Sequence, residues 1–147
     1  MRNAQEIREL ANRRIDEANL LIANNYFEGA VYLAGYAVEL SLKAKICELL
    51  DIPNLFDFGN NNIQSSLIKS YKSHDFEQLI LLSGLRSKLQ TATSENQELL
   101  TNWSILCEWS EEKRYCKCGA ETLEATQEFM NAITSPENGI KTWIESN

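Results

Sequence analysis

Chain breakers are scarce in this sequence, with 6 glycines and 2 prolines in 147 residues. That scarcity speaks against a many-turned β sandwich and for long helices. Histidine occurs once, at position 74. Cysteine occurs four times, and only Cys116 and Cys118 are close, as C-x-C. Zinc sites usually combine two close pairs of ligands, so no metal and no cofactor is expected, and the thiols read as reduced. Basic residues are outnumbered, 14 against 21 acidic ones, for a net charge of −7. Loose, sequence-blind nucleic-acid binding depends on neutralising phosphates, and this balance argues against it, though not against a local basic groove. The start, "MRNAQEIREL", has no apolar core of a signal peptide. The longest apolar-rich run, 30–42, is too short to span a bilayer. The expectation is a cytoplasmic chain with no membrane association. No internal repeat, low-complexity tract or period-two alternation occurs.

What is present is helical periodicity. Hydrophobic residues make up 44% and charged residues 24%, enough to fold as one domain over 1–147. Residues 4–23 place Ile7, Leu10, Ala11, Ile15, Ala18, Leu21 and Ile22 on one stripe, with Asn3 and Glu6 as a capping pair. Asn24 is expected to close this helix in a left-handed conformation, and Asn25, with Glu28, to cap the next. So short a link makes these helices antiparallel neighbours. The second helix, about Tyr26 to Leu50, is apolar on nearly every side from Ala30 to Leu42, which predicts a central helix. Gly35 within it costs about 1 kcal/mol against Ala and implies close approach of a neighbouring helix or a bulky side chain.

Pro53 and the Gly-Asn cluster of "DIPNLFDFGNNN" predict a loop, and "IQSSLIKSYK" a short helix. "SHDFEQLILLSGLRSKL" reads as a third long helix, capped by Asp75 with Gln78, with Leu79, Leu82, Leu85 and Leu89 inward. Ser94 and Gln97 form the next capping pair, followed by Leu99, Leu100, Trp103, Leu106 and Cys107 at helical spacing. "EEKRYCKCG" is charged and irregular, bending at Gly119. Leu123, Phe129, Met130 and Ile133 mark another helix. Ser135 and Pro136 start a last short one with Ile140, Trp143 and Ile144. The predicted architecture is all-α: an antiparallel bundle of four long helices with short extra helices.

One residue conflicts with its surroundings. Glu39 sits in "AVYLAGYAVELSLKA", where an unpaired charge would cost several kcal/mol. Tyr36 and Lys43 lie one turn away on either side. The expected remote partner is Arg114, through two parallel hydrogen bonds. One reading makes this a structural clasp that sets helix register. The other places Glu39, Arg114 and Tyr115, with Tyr36 and Lys43, around a nucleotide or nucleic-acid phosphate. Trp103 and Trp109 have the chemistry to stack a base, but the spacing of Trp103 is that of a core residue. No Ser/His/Asp motif and no phosphate-binding Gly loop occurs.

"AVYLAGYAVELSLKAKIC", "SHDFEQLILLSGL", "NWSILCEWSEEKRY" and "GIKTWI" together resemble the HEPN family, the higher-eukaryote and prokaryote nucleotide-binding domain, in its small stand-alone bacterial form. The resemblance spans nearly the whole chain. It implies a bundle of four long helices, often a homodimer, in the cytoplasm near nucleotide or RNA. It implies one of three roles: metal-independent endoribonuclease of a toxin–antitoxin or defence system, partner of a nucleotidyltransferase or antitoxin, or a member with no active site. The family's ribonuclease signature is Arg, four to six residues, then His. Here the only His, His74, follows Lys69 instead. Lys carries charge but not the planar fork of Arg. His74, just before a helix start, reads as a surface or capping residue against the rival role of catalytic base. The expectation is therefore a non-catalytic or weakly active nucleotide- or RNA-associated interaction module that lacks the usual ribonuclease site. The alternatives are a ribonuclease using His74 with Lys69 or Arg114, and a structural partner of a nucleotidyltransferase.

Overall fold

The structure is a computed structural model, and it describes residues 3–52, 55–56 and 69–147. These residues are all-helical, with no strand among them. The elements are α1 (Ala4–Ala23), α2 (Phe27–Leu50), α3 (Phe76–Leu82), α4 (Arg86–Glu95), α5 (Gln97–Cys107), a 3-10 turn (Glu111–Tyr115), α6 (Leu123–Thr134) and α7 (Ile140–Ser146).

Local chemistry accounts for the first two helices. The Asn3 side chain accepts the Glu6 N–H at 2.9 Å, one of the first-turn donors that a helix leaves without a partner. The stripe read from the sequence is inside: Ile7, Ala11 and Ala18 are buried, and Leu10, Ile15, Leu21 and Ile22 pack against the core. The reversal into α2 uses a different residue from the one expected. Asn24 keeps a negative φ, and Asn25 takes the left-handed conformation at φ 63°. With Asn25 in that role, Tyr26 occupies the cap position of α2 and offers no side-chain hydrogen bond. Helix α1 then runs back along α2, their faces in extensive contact.

Helix α2 is the centre of the molecule. Fourteen of its residues are buried, from Ala30 to Cys47, and α1, α3, α6, α7 and the 3-10 turn all pack on it. At Gly35 the approaching group is the Trp109 indole. A Cβ built on Gly35 would lie 2.3 Å from Trp109 Cε2 and Nε1. Trp109 is buried and donates its indole N–H to the Val31 carbonyl at 3.1 Å.

The third helix is not continuous. Asp75 caps α3 as expected, accepting Glu77 N–H at 2.8 Å and Gln78 N–H at 3.3 Å. The chain then breaks at Gly84, where φ is +75° and only a residue without Cβ sits easily. Leu79, Leu85 and Leu89 remain buried on both sides of the break. The helical stripe survives because the break reorients the chain without moving its apolar residues to solvent.

Three segments differ from the sequence reading, the first because a nearby residue makes the better cap. Asn96, not Ser94, caps α5 by accepting Leu99 N–H at 3.1 Å, and the Ser94 hydroxyl bonds back to Thr91 O inside α4. Ser135 and Pro136 lie in the turn after α6, and the last helix starts at Ile140 behind Gly139. "EEKRY" is an ordered 3-10 turn. In α5 Leu99, Trp103 and Leu106 are buried, while Leu100 and Cys107 face outward. The Gly-Asn loop and most of the short helix expected in "IQSSLIKSYK" lie outside the described residues. Residues 69–71 form a helical turn.

Candidate functional site

Tyr32, Tyr36, Glu39 and Lys43 follow one another at four, three and four residues along α2. That spacing places them on one side of the helix. Glu39 has 0% exposure. Its Oε1 accepts the Lys43 ammonium at 2.6 Å. Its second partner is His74, whose Nδ1 lies 2.9 Å from Oε2 and 3.0 Å from Oε1. A carboxylate only accepts, so Nδ1 is the donating nitrogen and Nε2 is left for other contacts. The His74 side chain is 47% exposed. Lys43 in turn sits 5.5 Å from the centroid of the Phe56 ring.

The expected Glu39–Arg114 pair does not form. The stretch before α3 crosses α2 at the level of Glu39, whereas the turn carrying Arg114 meets α2 near Tyr32. Those levels are seven residues apart, roughly 10 Å along a helix. Arg114 instead lies over the Tyr115 ring, 4.9 Å from its centroid. Tyr115 beside it raises the guanidinium above its usual pKa; desolvation opposes this, and nearby Tyr32 adds a lesser upward effect. No carboxylate pairs with Arg114 among the described residues, whereas Arg8, Arg13, Arg14, Lys43, Lys45, Lys113 and Lys141 each have one.

The aromatic part is ordered. Tyr32 stacks on Tyr36 with centroids 6.4 Å apart and an angle of 8°, and on Trp109 at 6.1 Å and 23°. Phe76 closes the other side of Trp109 at 5.3 Å. Burial, and then the Glu39 charge, push the Tyr36 phenol above its usual range, so it keeps its proton and can donate. Tyr115, by contrast, is 76% exposed.

His74 lines a cavity of about 460 Å³ with Asp75, Phe76, Glu77, Cys107, Trp109, Ser110 and Glu111. Its charged walls are carboxylates. Lys69 is exposed on its helical turn, and the polar contacts of His74 run to Glu39. Although Cys107 faces outward, partial desolvation of its sulfur at the cavity wall and the Glu77 charge beside it push the thiol up to about 12, and burial pushes Cys47 to about 11, so neither is a thiolate nucleophile near neutral pH. All four cysteines are free. Among the described residues no group of three or more His, Cys, Asp or Glu side chains is placed to hold a metal ion, and no helix is long and apolar enough to cross a membrane.

The segment bearing Arg114 is tied back to α2 by Glu28, which the sequence pointed to as a helix cap. Its carboxylate accepts the backbone N–H of Gly119 and, at 3.1 Å, of Ala120. The Glu28 carboxyl is held below its ordinary value by its own backbone N–H first, then by that of Gly119. A lowered folded-state pKa means the clasp is intact above the ordinary carboxylate range and is lost as pH falls through the lowered value. The amide protection factors of Gly119 and Ala120 should therefore drop on acidification and in Glu28→Ala at neutral pH. Hydrogen exchange by NMR reads both, and protection unchanged in the variant would remove the clasp from the account.

His74 as the partner of Glu39 was missed because its neighbour Asp75 fully explains a helix start. The remaining signal was that the chain's single histidine stands where an incoming segment meets a helix carrying a buried acid. Comparison with family models, with curated proteins and with solved structures finds no match to this chain.

Proposed function

We propose that the chain is a HEPN-like helical domain acting as a nucleotide- or RNA-associated interaction module, without the family's ribonuclease site. On this reading its helices form the antiparallel four-helix arrangement of that family, and it works as a cytoplasmic homodimer or beside a nucleotidyltransferase or antitoxin. The segments that carry the resemblance support it by packing at successive levels along one side of α2. "LAGYAVELSLKA" supplies Gly35 and Glu39, "SHDF" supplies His74, and "EWSEEKRY" supplies Trp109, Arg114 and Tyr115.

The observation that carries the absence of ribonuclease chemistry is the setting of His74. Cleaving a phosphodiester requires a base and a cation that stabilises the phosphate. His74 has a buried carboxylate on Nδ1 and a cavity walled by Asp75, Glu77 and Glu111. Those carboxylates repel the substrate that a ribonuclease must hold. A ribonuclease reading keeps one point in its favour: a carboxylate behind an imidazole is how a general base is oriented.

The deciding experiment incubates the protein with a mixed-sequence single-stranded RNA in EDTA, following binding by gel shift and cleavage by denaturing gel. Binding without cleavage is expected, and His74→Ala should bind as the parent does. EDTA-insensitive cleavage abolished in His74→Ala would replace this reading with the ribonuclease one. No binding to RNA or to free nucleotide would overturn the association with nucleic acid altogether.

A further inference from the structure

The dipeptide Asn-Gly occurs once in the sequence, at Asn138 and Gly139, in the turn between α6 and α7. Asparagine is thermolabile, most of all before glycine, whose backbone nitrogen is unhindered. The fold nevertheless requires both residues. A Cβ built on Gly139 would lie 2.5 Å from Ser135 N and O and 2.6 Å from Ile133 O, so the backbone approach leaves room only for glycine. Asn138 staples the turn to α5. Its Nδ2 donates to Glu98 Oε2 at 2.6 Å, its Oδ1 accepts Asn96 Nδ2 at 2.7 Å, and its backbone carbonyl accepts Asn102 Nδ2 at 2.8 Å. The amide is oriented from both ends. A carboxylate only accepts, so Nδ2 faces Glu98, and Asn96 uses its own Oδ1 on Leu99 N–H, so it offers Nδ2 to Asn138. In the closed turn the Gly139 nitrogen is occupied as well, its N–H donating to Ser135 O at 3.0 Å.

We infer that Asn138 is a self-modification site: when the turn opens, Asn138 deamidates by attack of Gly139 N, and the product no longer closes the turn on α5. Gly139 N gives its proton to solvent base and forms a bond to Asn138 Cγ. The Cγ–Nδ2 bond breaks, and the amide nitrogen takes up protons and leaves as ammonia. Water then opens the resulting succinimide at either carbonyl, to aspartate or isoaspartate, so the net change is water in and ammonia out. The closed turn suppresses the first step, because both ends of the amide and the attacking nitrogen are held by hydrogen bonds. The reaction therefore proceeds through local opening of the turn. Conversion is irreversible and removes the staple. It exchanges the donor facing Glu98 for a second carboxylate, and two like charges at that separation part. Isoaspartate also lengthens the backbone by a carbon immediately before Ile140, which is fully buried with Ile144 in α7. The docking of α7 is thus tied to the chemical integrity of one side chain.

The test ages the full chain in mildly alkaline buffer, folded and in urea, and follows the exchange of –NH2 for –OH by peptide mass mapping. In urea Asn138 should be the first asparagine to convert. In the folded protein it should convert about ten-fold more slowly or less, the rate being set by opening of the turn. Asn102→Ala removes one bond of the staple and leaves the reacting dipeptide intact, so it should speed the folded-state reaction and leave the rate in urea unchanged. Asn138→Asp reproduces one product. It should lower the urea midpoint and the amide protection of α7, and adding Glu98→Gln should restore most of both, because the glutamine amide donates to the new carboxylate. No conversion at Asn138 in either state, or another asparagine converting first in urea, would overturn the site. Equal rates folded and in urea, or a folded-state rate that Asn102→Ala does not move, would overturn the control by turn opening. An Asn138→Asp protein as stable as its parent, or one that Glu98→Gln does not rescue, would overturn the loss of the staple.

Discussion

Glu39→Ala should destabilise the protein by about 3–5 kcal/mol, the cost of leaving a buried charge without its partner. The side chains of Glu39 and Lys43 are 1% and 10% exposed, so water does little to replace the lost contact. Lys43→Met removes the ammonium, and Glu39 is then left with only His74. The two single losses should therefore sum to more than the loss in Glu39→Ala/Lys43→Met, the signature of direct coupling. Replacing both with apolar groups of matching size, as in Glu39→Leu/Lys43→Met, should recover most of the stability, because the desolvation penalty of both ions disappears. His74→Ala should cost less than either single change. Its side chain is nearly half exposed, and Lys43 still holds the carboxylate. Urea denaturation of the set provides the numbers. Strictly additive losses would mean that the 2.6 Å contact between Glu39 and Lys43 carries no energy of its own.

Gly35→Ala is expected to be nearly as damaging, although helix propensity alone predicts the opposite sign. In a helix interior Ala is better than Gly by about 1 kcal/mol. Here the added Cβ would stand 2.3 Å from the Trp109 indole, inside any permitted contact. The methyl group is fixed to the backbone of α2, so the indole must leave. It then loses its hydrogen bond to Val31 O and its packing against Phe76 and Tyr32. That loss approaches the removal of a buried Trp, about 3–5 kcal/mol, and outweighs the gain in propensity. Thermal unfolding should show a lower midpoint, and tryptophan emission should shift red as the indole meets water. The double variant Gly35→Ala/Trp109→Ala should be little worse than Trp109→Ala alone, since the clash no longer exists. A Gly35→Ala protein as stable as its parent, with unshifted emission, would show that Trp109 has room to move.

The second effect bears on the aromatic surface of Tyr32, Tyr36 and Trp109. Trp109 is the floor on which Tyr32 stacks, and Tyr32 stacks in turn on Tyr36. Displacing the indole thus disturbs the whole stack. Glu39 lies farther along α2, and its loss should act on stability before it acts on that surface.

Features set by residues within a few positions of one another were legible in the sequence. The stripe of α1, the Asn3 and Asp75 caps and the all-apolar circumference of α2 depend on neighbours within about one turn, and each is where the periodicity placed it. Gly35 was legible for the same reason: a glycine in a long apolar helix implies something bulky against it, although not which residue. The burial of Glu39 followed from its sequence surroundings too. Its partner did not. Whether His74 or Arg114 reaches it depends on where two distant segments cross α2, and the 35 residues between Glu39 and His74 leave that open. Local rivalry between caps was equally undecided. Asn96 displaced Ser94 and Asn25 took the turn expected of Asn24, because adjacent candidates differ by less than the packing that chooses between them. The sequence by itself determined a helical chain organised around α2 with a buried acid. Only the tertiary structure decided that this acid pairs with Lys43 and His74, which left Arg114 to the tyrosines, because charge partners across a fold are selected by the geometry of chain return and not by local propensity.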